Sequence, residues 1–454
     1  MINKSLIVKL NILILIVFLF FLQIINHDAV IILSIIIIGF DTKYYLGLKN
    51  YFLVYTFLLF YVAGIGNFLP NSSDIFYDML IYILSFFFGR FIYDTLIINN
   101  KKISIKKYSN LFIKNKKKIF SISDKEVSEK KIKNLEYILI FLCIIKLALL
   151  VNNILQLGIS NFYSGQMLAE NIQNYGQESF ADGLSAVVLG IQSSISVSVI
   201  VLYICFCIKA NKYRINYLLL SILLIVMPLI SLERGSVAVG VMFLLFVYNF
   251  NNQKIAVIRI IAGILIFLIA GIGIGSIRDN YLNQNKSQES STSSDIPMNI
   301  IYGELSPIVA YSEIKSVVED FGYQYGSTII LPFISKPLPR NWFPDKPLNT
   351  SGFYMTAYRP NEFAAGFSLA PSIFGDIYLN FGYLGCIIFS FVLGILFDKF
   401  DSSLLNSELT NLPAYLVFYY HIYNFLRNNL SDSLFMILIS LGMFLIIRKI
   451  INEQ

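Results

Sequence analysis

The chain has 454 residues, of which 56% are hydrophobic and only 14% charged, and its formal net charge is +7. Soluble domains carry about 25% charged residues, so a water-soluble enzyme is excluded; the short alternating segments of a membrane barrel are missing as well. Runs of roughly 20 apolar residues, enough to cross ~30 Å of hydrocarbon, recur along the chain, and the expected fold is an all-α polytopic membrane protein with about 12 transmembrane helices.

Helices 1 to 9 are predicted within residues 1–277. Helix 1 covers 6–25, with Lys4 and Lys9 holding its start in the cytoplasm. Helices 2 and 3 cover 29–47 and 51–69. Helix 4 covers 75–98; its Arg90 and Asp94 stand four apart on one face and read as an interfacial i,i+4 pair. Residues 99–133 hold twelve lysines and form a cytoplasmic loop. The positive balance therefore belongs to membrane orientation, and no nucleic-acid partner is expected. Helix 5 covers 135–157 and carries Lys146 near its centre, where an ammonium needs a cavity or a partner. Residues 158–182 contain no Lys or Arg and read as an outer loop. Helices 6, 7, 8 and 9 cover 183–209, 217–232, 237–250 and 256–277, with an outer turn at 233–236.

Residues 278–366 form one large periplasmic loop. Its first part, 283–295, is rich in Ser, Gln and Asn; 297–318 reads as helix and carries Glu304 and Glu313. A proline-rich part follows, in which Pro337, Pro339, Pro344 and Pro347 forbid a continuous helix. Residues 367–454 hold helices 10, 11 and 12, over 372–397, 414–426 and 433–447, and both termini come out cytoplasmic. All four cysteines lie in apolar spans, so neither a disulfide nor a metal site is expected. P-loop, HExxH, CxxC and DxD patterns are absent, and no cofactor is called for.

The stretch densest in chemistry runs from LPRNWFPDKP (338–347) to APSIFGDIYLNFGYLG (370–385). On the outer side stand five arginines from distant parts of the chain: Arg234, Arg278, Arg340, Arg359 and Arg427. Taken singly, each also reads as a helix cap or the partner of an acid such as Glu233, Asp279 or Asp432. Taken together, their forked, permanently charged guanidinium groups match the oxygens of a phosphate or diphosphate.

LPRNWFPDKP, APSIFGDIYLNFGYLG and the turn Glu233-Arg234-Gly235 resemble the Wzy-type O-antigen or oligosaccharide repeat-unit polymerases. The resemblance implies a GT-C-like membrane glycosyltransferase in the bacterial inner membrane. It implies glycosyl transfer at the periplasmic face, from a glycan on undecaprenyl diphosphate to a second lipid-linked repeat unit, with membrane lipid and a chain-length regulator as partners. The positions it marks are Arg234, Arg340, Lys346, Asp376, Tyr378 and Asn380; Arg278 and Arg427 match by placement. Diphosphate is a competent leaving group, so arginines that stabilise the developing charge remove the need for a metal. The acceptor hydroxyl needs a base, for which Glu304, Asp376 and His421 remain open. Arg359, Trp342, Tyr354, Tyr358 and Tyr378 are the further candidates for contact with diphosphate, sugar rings or lipid. Two alternatives share parts of this pattern: an O-antigen ligase, with the same donor but a lipid A-core acceptor, and a lipid-linked oligosaccharide flippase.

Overall fold

The computed structural model describes residues 47–48, 52, 72–93, 95, 129–157, 180–210, 215–230, 234–252, 306–338, 343, 345–364, 368–405 and 411–453. Helices 1 and 9, most of helices 2 and 3, and Asp94, Arg278, Glu304, Arg340 and Trp342 lie outside them. Among the described residues every regular element is helical. They are α1 (Ser72–Tyr93), α2 (Glu129–Leu157), α3 (Phe180–Ala210), α4 (Tyr217–Ser221, a π-turn Ile222–Val226, and Met227–Ile230), α5 (Arg234–Asn252), α6 (Ser306–Phe321), α7 (Ser327–Ser335), α8 (Thr350–Tyr358), α9 (Pro360–Ala364), α10 (Ser372–Leu405), α11 (Leu412–Arg427) and α12 (Leu430–Glu453). Among the described residues, three stretches are long and apolar enough to cross a membrane: Lys131–Asn152, Ser372–Leu404 and Leu430–Ile451.

The tightest packing joins α1 to α10. Tyr82 meets Tyr383, the Ser85 hydroxyl donates to Ile387 O at 2.7 Å, and the Tyr93 and Ser402 hydroxyls lie 2.9 Å apart. Partner numbers rise together, so the two helices run parallel. Their backbones touch through reciprocal glycines. A Cβ on Gly89 would sit 2.1 Å from Phe391 O, and one on Gly394 2.2 Å from Phe86 O. Small residues at such crossings bring dispersion contacts and backbone dipoles together where lipid supplies no hydrophobic drive. One turn on, Arg90 Nε reaches Asp398 Oδ2 at 3.3 Å, with both side chains at most 5% exposed. The local Arg90–Asp94 pair that the sequence suggested lies outside the described residues; Arg90 also has a partner on another helix, because parallel packing carries Asp398 to its depth. Asp401 is buried as well, accepting from the Tyr415 hydroxyl at 2.7 Å and from Leu48 N at 3.1 Å. Helix 10 therefore continues past the predicted end at 397 to Leu405.

The larger correction to helix 10 lies at its other end. Gly382 has φ +66° and ψ −163°, a conformation essentially restricted to glycine. The chain folds back there. Cys386 Sγ donates to Phe374 O at 3.4 Å, although twelve residues of straight helix would separate them by about 18 Å. Residues 372–381 form a short limb lying against the long limb, 383–405. At roughly 1.5 Å per residue, the long limb reaches about 35 Å and suffices for one bilayer crossing. Reversal strips Leu379 O and Asn380 O of helical partners, and Gln324 N and Tyr325 N supply them at 2.9 and 3.0 Å.

The remaining spans pack as a bundle. Ser198 on α3 donates to Ser440 O on α12 at 2.9 Å, and the Tyr203 hydroxyl on α3 donates to Glu136 on α2 at 2.8 Å. Lys131 Nζ donates to Ile451 O at 2.8 Å, capping the C-terminal carbonyls of α12. Helix 5 of the sequence reading starts earlier than expected, at Glu129, inside the basic segment. Arg234, expected in a turn, opens α5. The large loop is more helical than its prolines suggest. α6, α8 and the short limb close a satellite core around Ala310, Ile314, Val317, Tyr354, Met355 and Leu379.

Candidate active site

At the Gly382 end of the bundle, the GDIYLN segment lies in the short limb. Asp376 and Asn380, one turn apart, share a face and are both fully buried. Asn380 Nδ2 donates to Thr328 Oγ1 and to Asp376 O, each at 2.8 Å, and Asn380 Oδ1 accepts from Gly326 N at 2.9 Å. The Thr328 and Thr350 hydroxyls are 2.8 Å apart, and Thr350 donates to Asp376 Oδ1. Each hydroxyl has one hydrogen: that of Thr350 goes to Asp376, and that of Thr328 is shared between Thr350 and Asn380 Oδ1, 3.1 Å away. The other carboxylate oxygen, Oδ2, accepts from Leu430 N at 2.6 Å. Asp376 therefore stands at the N-terminus of α12, where the helix dipole favours a negative charge. Its side chain joins α8 and α12 to α10, and Thr328 ties α7 to the same group through Thr350 and Asn380.

A second carboxylate, Asp432, lies in the first turn of α12. It accepts from Asn349 Nδ2 at 3.1 Å, from Asn429 Nδ2 at 3.3 Å and from Lys336 Nζ. Lys346 closes the proline-rich loop by donating to Lys336 O at 3.1 Å and Leu338 O at 3.2 Å.

Arg427 occupies the last turn of α11, with only Asn428 and Asn429 between it and the start of α12. Its guanidinium carbon lies 5.7 Å from the centre of the Tyr423 ring. A Cβ on Gly235 would be 3.6 Å from Arg427 Nη1 and 3.3 Å from Tyr423 Cε1. The start of α5, with Arg234 as its first residue, is thus brought against an arginine far along the chain.

Other candidates fall elsewhere. Arg359 grips Glu313 with both prongs, Nε to Oε2 at 2.9 Å and Nη2 to Oε1. His421 is buried between α11 and α12, with Nε2 3.0 Å from Ser440 Oγ. Tyr354 is buried in the satellite core, whereas Tyr358 is exposed. Tyr378 stacks edge-on to Tyr311 and Tyr323, with Lys315 Nζ 6.0 Å above its ring centre.

Around Tyr378 lies a group not singled out from the sequence. Lys315 Nζ meets Asp78 Oδ2 at 2.8 Å, and the Tyr311 hydroxyl donates to the same oxygen at 2.9 Å. Burial, reinforced by the neighbouring Tyr82, Cys386 and Asp78, pushes the Tyr311 phenol well above its ordinary range, so it stays a donor. Asp78 is an acid inside an apolar run, a signal readable in the sequence; its partner, 237 residues away, is not. Lys336, Thr328 and Thr350 were also missed, since they are ordinary polar residues until the fold buries them.

Among the described residues, no three of His, Cys, Asp and Glu gather as metal ligands, and the four cysteines are unbridged. No curated protein and no solved structure matches the chain. The family model for O-antigen polysaccharide polymerase Wzy matches residues 4–452. That match takes in the buried GDIYLN network, the paired helix ends at Gly235 and Arg427 and every described membrane helix, and the chain belongs to the O-antigen polysaccharide polymerase Wzy family, integral membrane proteins that polymerise lipid-linked oligosaccharide repeat units.

Proposed function

We propose that the protein transfers a growing glycan from undecaprenyl diphosphate to the non-reducing end of a new lipid-linked repeat unit, at the periplasmic face of the inner membrane and without a metal. An acceptor hydroxyl attacks C1 of the donor sugar, the C1–O bond to diphosphate breaks, a base takes the hydroxyl proton, and undecaprenyl diphosphate leaves. The observation that carries this reading is the close approach of Arg427 to the start of α5. A guanidinium set against the start of a helix whose first residue is a second arginine suits a diphosphate, whose charge rises as the bond breaks. Arg427 and Arg234 are read as its grip, with Arg278 and Arg340 completing it and Lys346, Tyr358, Tyr378 and Trp342 on the glycan side. Asp376 is read as a positioning residue: it holds Leu430, and through the short α11–α12 turn it holds Arg427. Its engaged oxygens leave Glu304 and His421 as the other candidates for the base.

The test is polymerisation by the purified protein from a defined lipid-diphosphate repeat unit. Arg427→Ala should lose on the order of 10²–10³ in rate, the loss typical of one transition-state donor. Arg427→Lys should recover little of it, because an ammonium lacks the fork. Chelator should leave the parent rate unchanged. Full-length polymer from Arg427→Ala at the parent rate would remove the diphosphate grip.

A further inference from the structure

α7 buries two of its hydroxyls, beside Ile329 and Pro332, and turns an apolar stripe outward. Thr328 and Ser335 are buried, and Thr328 is tied into the Asn380–Thr350 chain. Ile330, Leu331 and Ile334 form the opposite face and are exposed, Ile334 at 62%. A helix against water turns its apolar stripe inward and its polar residues outward. Ser327–Ser335 has no charged residue at all, and Lys336 just beyond it turns back to Asp432.

The exposed face has a visible continuation. On the long limb of α10, Leu384, Ile388, Val392, Leu396 and Phe400 recur every fourth residue and are all exposed, Leu384 at 71%. This is the lipid-facing stripe of a span. Phe381 extends it past the bend. A Cβ on Gly326 would lie 3.2 Å from Ile330 Cδ1 and 3.4 Å from Phe381 Cζ, so the stripe runs on to α7 without a break. Tyr325, 79% exposed, stands at the same edge with φ +48°, held in that costly conformation by its N–H bond to Asn380 O. Tyrosines at such an edge suit the boundary between headgroups and acyl chains.

We propose that α7 and the turn before it are seated in the bilayer, with Ile330, Leu331 and Ile334 against the acyl chains of bulk lipid beside the long limb of α10. The large loop is then anchored in the leaflet at its centre instead of standing clear of it, and the membrane fixes the level of Thr328, Thr350 and Asp376. The occupant is bilayer lipid, because the face joins a surface that lipid already covers. Nothing in this depends on the glycan reaction.

The experiment uses the full chain in nanodiscs. Trp342→Phe removes the one native tryptophan, and single tryptophans are then placed by Ile334→Trp, Leu331→Trp, Ile388→Trp as the lipid reference, and Asp320→Trp as the water reference. Lipids brominated on their acyl chains should quench Ile334→Trp and Leu331→Trp as strongly as Ile388→Trp and leave Asp320→Trp bright. Aqueous iodide should do the reverse. If both α7 variants follow Asp320→Trp, the helix stands in water and the proposal falls. If both are shielded from bromolipid and iodide alike, protein covers the face, and the proposal falls equally.

Discussion

Arg359 and Arg427 are chemically the same side chain in different settings. Glu313, whose side chain is 6% exposed, takes both prongs of Arg359 and ties α8 to α6. Arg427 lies over Tyr423 beside the start of α5. Removing one partner of a buried pair strands the other charge at a cost of about 3 kcal/mol or more, reduced where one partner is partly open to water. Arg359→Gln and Glu313→Gln should therefore each lower the unfolding temperature, and the double variant should regain most of the loss. The double variant should also polymerise near the parent rate, as a structural strut would; a stable but inactive double variant would instead put Arg359 on the substrate. The sequence pointed to arginines as a class but not to these different settings. Arg359 and Arg427 read alike in the chain, and only folding brings Glu313 to one and Gly235 to the other. Asp376 shows the same limit. Its place in GDIYLN marked it as important, yet its binding of Leu430, 54 residues away, has no local signature.

At the scale of elements, apolar length was the legible signal. α11 and α12 occur where apolar runs placed them, α11 almost to the residue and α12 extended at both ends to Leu430 and Glu453. The bend at Gly382 was not legible, because Asn-Phe-Gly-Tyr looks like continuous membrane helix, in which glycine is common. Its cause is tertiary: the Gly322–Gly326 turn completes the carbonyls that the reversal exposes. α8 was hidden by the prolines around it, although Asn349 is an ordinary N-cap, its side chain accepting from Gly352 N at 2.9 Å. Gly382→Ala should be severe. It adds backbone strain of about 1–3 kcal/mol, and its Cβ would lie 2.8 Å from the Tyr323 ring. Thermal unfolding in detergent should show a large loss, of which Tyr323→Ala in the same chain recovers only the part due to overlap. Full recovery would mean that the positive φ carries no cost.

Across the whole molecule, the parallel contact of α1 with the long limb of α10 is the main axis to which the rest attaches. Phe52 stacks on Phe86 at 4.2 Å and meets Phe374 and Phe397 edge-on, so even the start of helix 3 is keyed to it. Gly394→Leu should separate the two backbones and pull Arg90 from Asp398. The expected result is loss of folded protein from the membrane, and an unchanged unfolding temperature would refute the packing. The twelve-span reading bore on none of this, because span counting carries no information about which helices become neighbours.

Arg90 and Asp398 are 308 residues apart in the chain. At about 5–20 residues per second, a ribosome needs roughly 15 to 60 seconds to go from one to the other. Throughout that interval the nascent protein holds an inserted helix that has not yet met Asp398 and whose Gly89 groove is open to lipid. The early segments therefore wait, half assembled, for the late hairpin of α10 to arrive and lock them. A chain cut short before that hairpin emerges lacks its keystone, however many of its membrane crossings are already in place.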